Sequence, residues 1–238
     1  MENLPTGVEG LDLLIEGGYP EGKSILVTGP PGSGKTILGL HFLHRSCQDG
    51  RKCILVLTRE LTEDVLAQAR SLKLDLEPFL EKGQLSIRNI FEDKINKIKS
   101  VSKFGKGLCA VDTDIIEYLS SMSSEVDVVV IDNIGVMAIN HDMREFADEF
   151  SSISIILLKN GCTSLFIMDE DSYNLTQKLT GYMVFGLLRL ITQENFSSGK
   201  TKQYLYIEKM RNTPVPVKYS LFDITPHGIR VISGMKSP

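Results

Sequence analysis

The chain has 238 residues, of which 42% are hydrophobic and 24% are charged, with 20 glycines and 9 prolines. This composition is typical of a globular protein and excludes collagen-like, disordered and disulfide-scaffold classes. The net charge of −4 argues against a protein whose main task is to coat nucleic acid. The longest apolar runs, Val126–Ile131 and Ile153–Leu158, are too short for a membrane span, and the first residues lack a secretory pattern. We therefore expect a single cytoplasmic domain over residues 1–238 that does not contact a membrane.

In chain order, short apolar strands alternate with longer helical patterns. Strands are predicted over Ser24–Thr28, Lys52–Thr58, Gln84–Ile90, Val126–Asp132 and Thr163–Met168, and helices over Lys35–Gln48, from Thr62, over Thr113–Met122 and over Asp142–Lys159. Thr62 is predicted to cap its helix, whose first turn carries Glu63 and Asp64 at the positive end of the helix dipole. The alternation predicts an α/β fold with a mostly parallel sheet flanked by helices on both faces.

After Gly181 the pattern changes to strands joined by tight turns. These strands are predicted over Tyr182–Thr192, Gln203–Met210, Val215–Phe222 and Ile229–Ile232, with turns at residues 197–199 and 226–228. Pro214 and Pro216 favour an edge position for their strand, because proline cannot donate a hydrogen bond to a neighbour. The sequence therefore predicts a C-terminal antiparallel extension of the parallel sheet.

The sharpest motif lies between the first of the parallel strands and the helix that follows it. It reads Gly29, Pro30, Pro31, Gly32, Ser33, Gly34, Lys35 and Thr36, a full match to GxxxxGK[ST]. Such a loop turns successive backbone N–H groups toward phosphate oxygens, and the helix adds its own free N–H groups. In this pattern the Lys35 ammonium reaches the β- and γ-phosphates, and the Thr36 hydroxyl binds Mg²⁺. The motif predicts a nucleoside triphosphate site.

A second signal is the carboxylate that ends an uninterrupted apolar strand. Asp132 closes the run Val126–Asp132, about 100 residues after the phosphate loop. An aspartate at a strand end is commonly a turn residue, but beside a phosphate loop it fits the Walker B aspartate that helps to hold Mg²⁺. We predict that Thr36 and Asp132 together form the metal site.

With both motifs in place, the chain resembles the KaiC-like branch of the RecA/DnaB ATPase superfamily, and in particular its single-domain archaeal type. The resemblance extends over nearly the whole chain and includes Thr6–Asp12, Gly17–Gly22, Thr58–Glu60, Asp132, Met168–Glu170, Lys209–Arg211 and Asp223–Ile229. It implies a RecA-like P-loop NTPase core, ATP and Mg²⁺ as cofactors, and a homo-oligomeric ring, usually a hexamer, with ATP between subunits.

The same resemblance gives a role to the Lys-x-Arg pair near the C-terminus. In such a ring Lys209 and Arg211 would reach the γ-phosphate of the neighbouring subunit and stabilise the charge that develops during hydrolysis. The sequence alone leaves a simpler alternative open, because Glu208–Arg211 partly fits the alternation of a solvated strand face.

One position departs from the family pattern. Members usually carry two consecutive glutamates after the second core strand, and the first is generally taken to orient the attacking water; here these positions hold Arg59 and Glu60. An arginine stays protonated and cannot accept a proton, so Glu60 becomes the candidate base. Either Glu60 substitutes from the next position, which requires that the strand has already ended, or the alignment shifts by one residue and Glu60 is the ordinary base.

Three functions remain open on this basis. The preferred one is a slow Mg²⁺-dependent ATPase with a regulatory or signalling role. The second is a nucleotide-dependent scaffold or switch with negligible hydrolysis and a protein partner, and the third, least favoured by the acidic charge, is a DNA-binding recombination-type ATPase. Five lysines in the amphipathic segment Lys94–Lys106 form either a solvated surface helix or a docking surface for a partner or nucleic acid.

Overall fold

A nine-stranded sheet runs through the molecule and carries helices on both faces. This description rests on a computed structural model and covers residues 2–101, 113–139, 142–170, 174–195, 200–216 and 218–232. The strands are β1 (Asn3–Leu4), β2 (Tyr19–Pro20), β3 (Ser24–Gly29), β4 (Cys53–Leu57), β5 (Leu85–Asn89), β6 (Val128–Asp132), β7 (Thr163–Asp169), β8 (Gly186–Asn195), β9 (Lys200–Met210), β10 (Ser220–Thr225) and β11 (Gly228–Ile232). The α-helices are α1 (Lys35–Gln48), α2 (Thr62–Ser71), α3 (Glu77–Glu81), α4 (Ile90–Val101), α5 (Thr113–Ser120), α6 (Met143–Lys159) and α7 (Asn174–Met183).

The strand order in the large sheet is β11-β10-β9-β8-β3-β7-β6-β4-β5, while β1 and β2 form a separate antiparallel pair. The strands from β8 to β5 in this order are mutually parallel, and β9, β10 and β11 continue the sheet in antiparallel pairing. This arrangement confirms the predicted α/β fold with its antiparallel C-terminal extension. We call the edge where the parallel strands end the carboxyl edge, and the edge where they begin the amino edge.

The central strands are apolar throughout because helices cover them on both faces. In β6, Val128 and Val130 face the same core as Leu38 and Phe42 of α1, and each of these side chains is at most 1% exposed. Val129 and Ile131 face the opposite core, which contains Phe146 and Phe150 of α6. Successive side chains of a strand point to opposite faces, so one apolar run serves two cores. Among the described residues, no helix is long and apolar enough to cross a bilayer.

The predicted cap of α2 is wrong. Thr62 is the first residue of the helix, and Leu61 stands at the cap position without a side-chain hydrogen bond. The Thr62 N–H instead donates to the Glu92 carboxylate at 2.7 Å, and its hydroxyl accepts from the Asn89 amide at 2.9 Å. A carboxylate from α4 therefore supplies the acceptor that a capping side chain would have given.

The boundaries of the C-terminal elements also differ from the predictions. Residues up to Met183 complete α7, so the strand predicted from Tyr182 begins at Gly186. The strand predicted from Val215 begins at Ser220, so the two prolines precede it and β11 forms the edge. Of the predicted basic segment, α4 contains the first part, and residues 102–112 lie outside the described residues, as does the turn predicted at 197–199.

A buried histidine joins the C-terminal hairpin to the helix that follows the phosphate loop. The Ile229 N–H donates to His41 Nε2 at 2.9 Å, and the ring also hydrogen-bonds to the backbone of Gly7. Burial lowers the pKa of His41 to about 4, the Gly7 bond opposes this shift, and the neighbouring His44 adds to it. His41 is therefore neutral in the folded protein at pH 7 and holds two distant segments against α1.

We expect the folded state to lose stability as the pH falls from 6.5 toward 4. The folded pKa of His41 lies below its ordinary value of 6.5, so the unfolded chain binds this proton more readily within that window. The full difference corresponds to about 3 kcal/mol. Urea unfolding at pH 7 and pH 4.5 measures it: His41→Gln should show a smaller loss than the wild type, whereas His227→Gln, at an exposed position, should match the wild type. Equal losses in the wild type and His41→Gln would contradict the assignment.

Candidate functional site

The loop between β3 and α1 borders a cavity of about 310 Å³ at the carboxyl edge of the sheet. Gly32 and Gly34 adopt positive φ angles of 76° and 95°, a conformation that favours glycine, and no atom lies within 4 Å of a Cβ built at Gly32. The hydroxyl of Ser33 is buried and has no hydrogen-bond partner among the described residues. An open loop with an unsatisfied buried donor fits a phosphate group better than a closed structural turn.

Lys35 lies at the centre of this loop, although its side chain is only 6% exposed. Its Nζ donates to the carbonyl oxygens of Gly29 at 2.9 Å and Pro30 at 2.8 Å, and it lies 2.8 Å from Asp169 Oδ1. An ammonium group has three donors, and these three acceptors use all of them. Any phosphate that binds Lys35 must therefore replace one of these acceptors.

Thr36 and Asp132 meet beside Lys35, as predicted for a metal site. The Thr36 hydroxyl donates to Asp132 Oδ2 at 2.7 Å. Burial is the largest cause that raises the pKa of Asp132, to about 6; the Thr36 hydrogen bond lowers it, and the nearby charges of Glu60 and Asp169 raise it further. A hydroxyl and a carboxylate are the hard oxygen ligands that Mg²⁺ prefers, and a cation here would offset the crowding of carboxylates. The donor set therefore fits Mg²⁺.

Glu60 and Arg59 both line the cavity. The strand β4 ends at Leu57, so the alternation of strand side chains no longer separates these two neighbours. The Asn89 amide donates to the Glu60 carbonyl at 3.0 Å and fixes the backbone at this point. The structure thus satisfies the condition under which Glu60 can act from the position after the usual one.

Asp169 is a site residue to which the sequence analysis gave no role of its own. It ends β7 opposite Gly29 of β3, and its Oδ2 accepts hydrogen bonds from Arg59 Nη1 and from Asn133 Nδ2 at 2.8 Å. The available signal was the acidic run that follows β7 directly, in the stretch that carries part of the family resemblance. Only the strand order places this carboxylate next to the phosphate loop, because β7 pairs with β3 across more than 130 residues of sequence.

Lys209 and Arg211 lie away from this cavity, at the amino edge of the sheet. Lys209 Nζ donates to the carbonyl of Gly181 and, at 2.7 Å, to that of Val184, while Arg211 Nη2 donates to the carbonyl of Tyr182 at 3.1 Å. Burial and the neighbouring Arg211 lower the pKa of Lys209. Both cations thus stand at the C-terminal end of α7, where helix carbonyls are free. Within one chain, the length of β3 separates them from the phosphate loop.

Comparisons with known proteins agree with this geometry. A UPF0273 protein of Pyrococcus horikoshii is 29% identical over 238 residues, which cover 96% of this chain and 93% of that protein. The circadian clock oscillator protein KaiC of Prochlorococcus marinus is 37% identical over 94 residues, which cover 39% of this chain and 19% of KaiC. The crystal structure of a KaiC-like protein from Pyrococcus horikoshii superposes with a TM-score of 0.75 and 26% identity, covering 97% of this chain and 99% of that one.

The sequence model of the KaiC ATPases matches residues 4–236, which is nearly the whole chain. Together with the single-domain relatives and the similar crystal structure, this match confirms the resemblance inferred from the motifs. The chain belongs to the KaiC family of P-loop ATPases.

Proposed function

We propose that this protein binds ATP with Mg²⁺ at the carboxyl edge of the sheet and hydrolyses it slowly, with a regulatory role. The observation that carries the proposal is the contact between the Thr36 hydroxyl and Asp132, 2.7 Å apart and directly after Lys35. This contact joins the two halves of a P-loop site that lie about 100 residues apart in the chain. A chance loop of glycine and proline would have no reason to meet a buried carboxylate there.

Each residue then has a defined task. The backbone N–H groups of Gly29–Thr36 and the Lys35 ammonium hold the phosphates, and Thr36 and Asp132 hold the metal. Mg²⁺, when bound, supplies positive charge that offsets the phosphate charge. Glu60 orients the attacking water, since its carboxylate faces the cavity and Arg59 cannot accept a proton. Phosphoryl transfer requires positioning and electrostatics more than covalent catalysis, and this set supplies both.

The proposal includes a homo-oligomeric ring, with a hexamer as the form that the family resemblance implies. Lys209 and Arg211 support it, because they stand at the amino edge and could reach a phosphate only in another subunit. We propose a single domain over residues 1–238, located in the cytoplasm, where ATP and Mg²⁺ are available. A protein partner fits a regulatory role better than nucleic acid does, given the net charge of −4.

A second candidate is a nucleotide switch with negligible turnover, and one observation favours it. Arg59 occupies the position of the usual water-orienting glutamate and pairs with Asp169 instead. General-base catalysis contributes about 10²–10⁴-fold to a rate, so its loss would leave binding intact while hydrolysis slows. The two candidates differ in phosphate release per bound ATP: measurable release that Arg59→Glu increases supports the ATPase, and tight binding without release in either protein supports the switch.

Titration calorimetry tests the binding site itself. We expect ATP affinity to rise when Mg²⁺ replaces EDTA, and this gain to be absent in Asp132→Asn, because the amide lacks the charge that a metal ligand supplies. Asp148→Asn, at an exposed position on α6, is the matched control and should keep the full gain. If the wild-type protein did not bind ATP in the presence of Mg²⁺, the proposed function would be rejected.

A further inference from the structure

A single carboxylate joins the two cations of the cavity. Asp169 Oδ1 contacts Lys35 Nζ at 2.8 Å, and Asp169 Oδ2 accepts from Arg59 and Asn133. The Asp169 side chain is 20% exposed, so water screens these ion pairs only in part, whereas Arg59 is 51% exposed and free to reorient. One small anion therefore already occupies the space between the lysine of the phosphate loop and the arginine after β4.

A phosphoryl group has the chemistry to take the place of this carboxylate. It offers three strong acceptor oxygens, and arginine pairs with such groups through two parallel N–H donors. Lys35 uses its three donors inside the protein, and the Asp169 carboxylate is the only anion among the three acceptors. A phosphate that displaces Asp169 from Lys35 also arrives within reach of the guanidinium that the same carboxylate holds.

The strand order selects the terminal phosphate for this contact. The phosphate loop follows β3, and Arg59 follows β4, with β7 and β6 between them. At about 4.8 Å per strand step, the two strand ends lie roughly 14 Å apart. Arg59 can therefore reach only the part of a phosphate chain that projects from the loop across the ends of β7 and β6.

On the proposed ATP-binding function, we propose that Arg59 recognises the γ-phosphate within its own subunit, and that Asp169 holds Arg59 when this phosphate is absent. Arg59 is then the residue by which the site distinguishes ATP from ADP. With ADP bound, Arg59 stays on Asp169 and adds nothing to affinity. With ATP bound, it exchanges a carboxylate for a phosphate that carries more charge and more acceptors.

The test measures the dissociation constants of AMP-PNP, a non-hydrolysable ATP analogue, and of ADP, both with Mg²⁺ and on the full chain. We expect Arg59→Gln to weaken AMP-PNP binding by about 10- to 100-fold, the range for a hydrogen bond between charged groups, and to change ADP binding by less than about twofold. Arg70→Gln is the matched control, because Arg70 also pairs with a carboxylate, Glu77, at the surface. This control should leave both constants unchanged.

Asp169→Asn gives an independent arm, since it releases both cations. Release of Lys35 should strengthen both nucleotides, and release of Arg59 should strengthen AMP-PNP further, so the preference for AMP-PNP over ADP should increase. In the Arg59→Gln background the same change should strengthen both nucleotides equally. Equal effects of Arg59→Gln on AMP-PNP and ADP, or an identical shift from Asp169→Asn in both backgrounds, would overturn the inference. A wild-type protein that binds neither nucleotide would instead reject the proposed function.

Discussion

Replacing Arg211 by alanine is expected to lower ATP turnover by about 10³-fold or more while ATP affinity stays close to that of the wild type. An arginine supplied to a neighbouring active site contributes roughly 10³–10⁵ to the rate of phosphoryl transfer, because it stabilises charge that develops only in the transition state. Arg211 is exposed and makes one hydrogen bond, to the Tyr182 carbonyl at 3.1 Å, so its loss should cost little folding stability. Single-turnover hydrolysis and calorimetry separate the two effects.

A mixing experiment shows whether this arginine acts between subunits. Arg211→Ala subunits keep a complete phosphate loop, and Lys35→Met subunits keep Arg211, so a mixed ring contains sites with both parts. We expect the mixture to regain hydrolysis that neither variant shows alone. Arg230→Ala, an exposed arginine paired with Glu9, is the matched control and should turn over like the wild type. A mixture as inactive as its components would place Arg211 outside the neighbouring site.

Lys209 is a less direct choice for this experiment. It donates to two backbone carbonyls at the end of α7, at Gly181 and Val184, so it supports the fold of its own chain. Its removal would combine a loosened helix end with any loss of catalysis. The contrast follows from burial: Lys209 is half-buried against the helix end, while Arg211 reaches only one carbonyl of the same helix.

The parts of the site that sequence could predict are those fixed by short stretches of backbone. Gly29–Thr36 encodes its own turn through glycines, and the run that ends at Asp132 encodes a buried strand with a carboxylate at its end. Both are local patterns, and the order of parallel strands then brings their ends together at one edge. The Thr36–Asp132 contact is therefore the expected consequence of two motifs and one fold class.

The parts that sequence could not predict depend on partners far along the chain. The role of Asp169 requires knowing that β7 lies next to β3, which no local pattern states. Thr62 looked like a helix cap, but Glu92 and Asn89, about 30 residues later, satisfy its hydrogen bonds. The helix α7 was missed because its short, mixed sequence is stabilised by the Lys209 side chain at its end. In each case a tertiary contact outweighed the local preference.

The charge balance of the cavity explains how an anionic ligand could bind among carboxylates. Asp132, Asp169 and Glu60 face it, against the two cations Lys35 and Arg59. Burial and the neighbouring carboxylates already raise the pKa of Asp132 to about 6, which shows how closely these negative charges approach. Each cation therefore has a double task, since it must neutralise a carboxylate and also contact phosphate. Lys35, the more buried of the two, carries the larger share.

Lys35→Met is accordingly expected to weaken ATP binding by about 100-fold, since it removes charge-assisted hydrogen bonds and leaves Asp169 facing the phosphates with only Arg59 and Asn133. Adding Asp169→Asn to this variant should restore about tenfold of the loss, because it removes the uncompensated carboxylate without returning the ammonium. Lys23→Met, at the amino edge beside Phe185, is the matched control. Partial rescue would assign the loss to electrostatics at the phosphate site, because a misfolded loop would not regain affinity on losing one more charge. Wild-type affinity in Lys35→Met would show that the ammonium binds its own carbonyls and carboxylate but not the nucleotide.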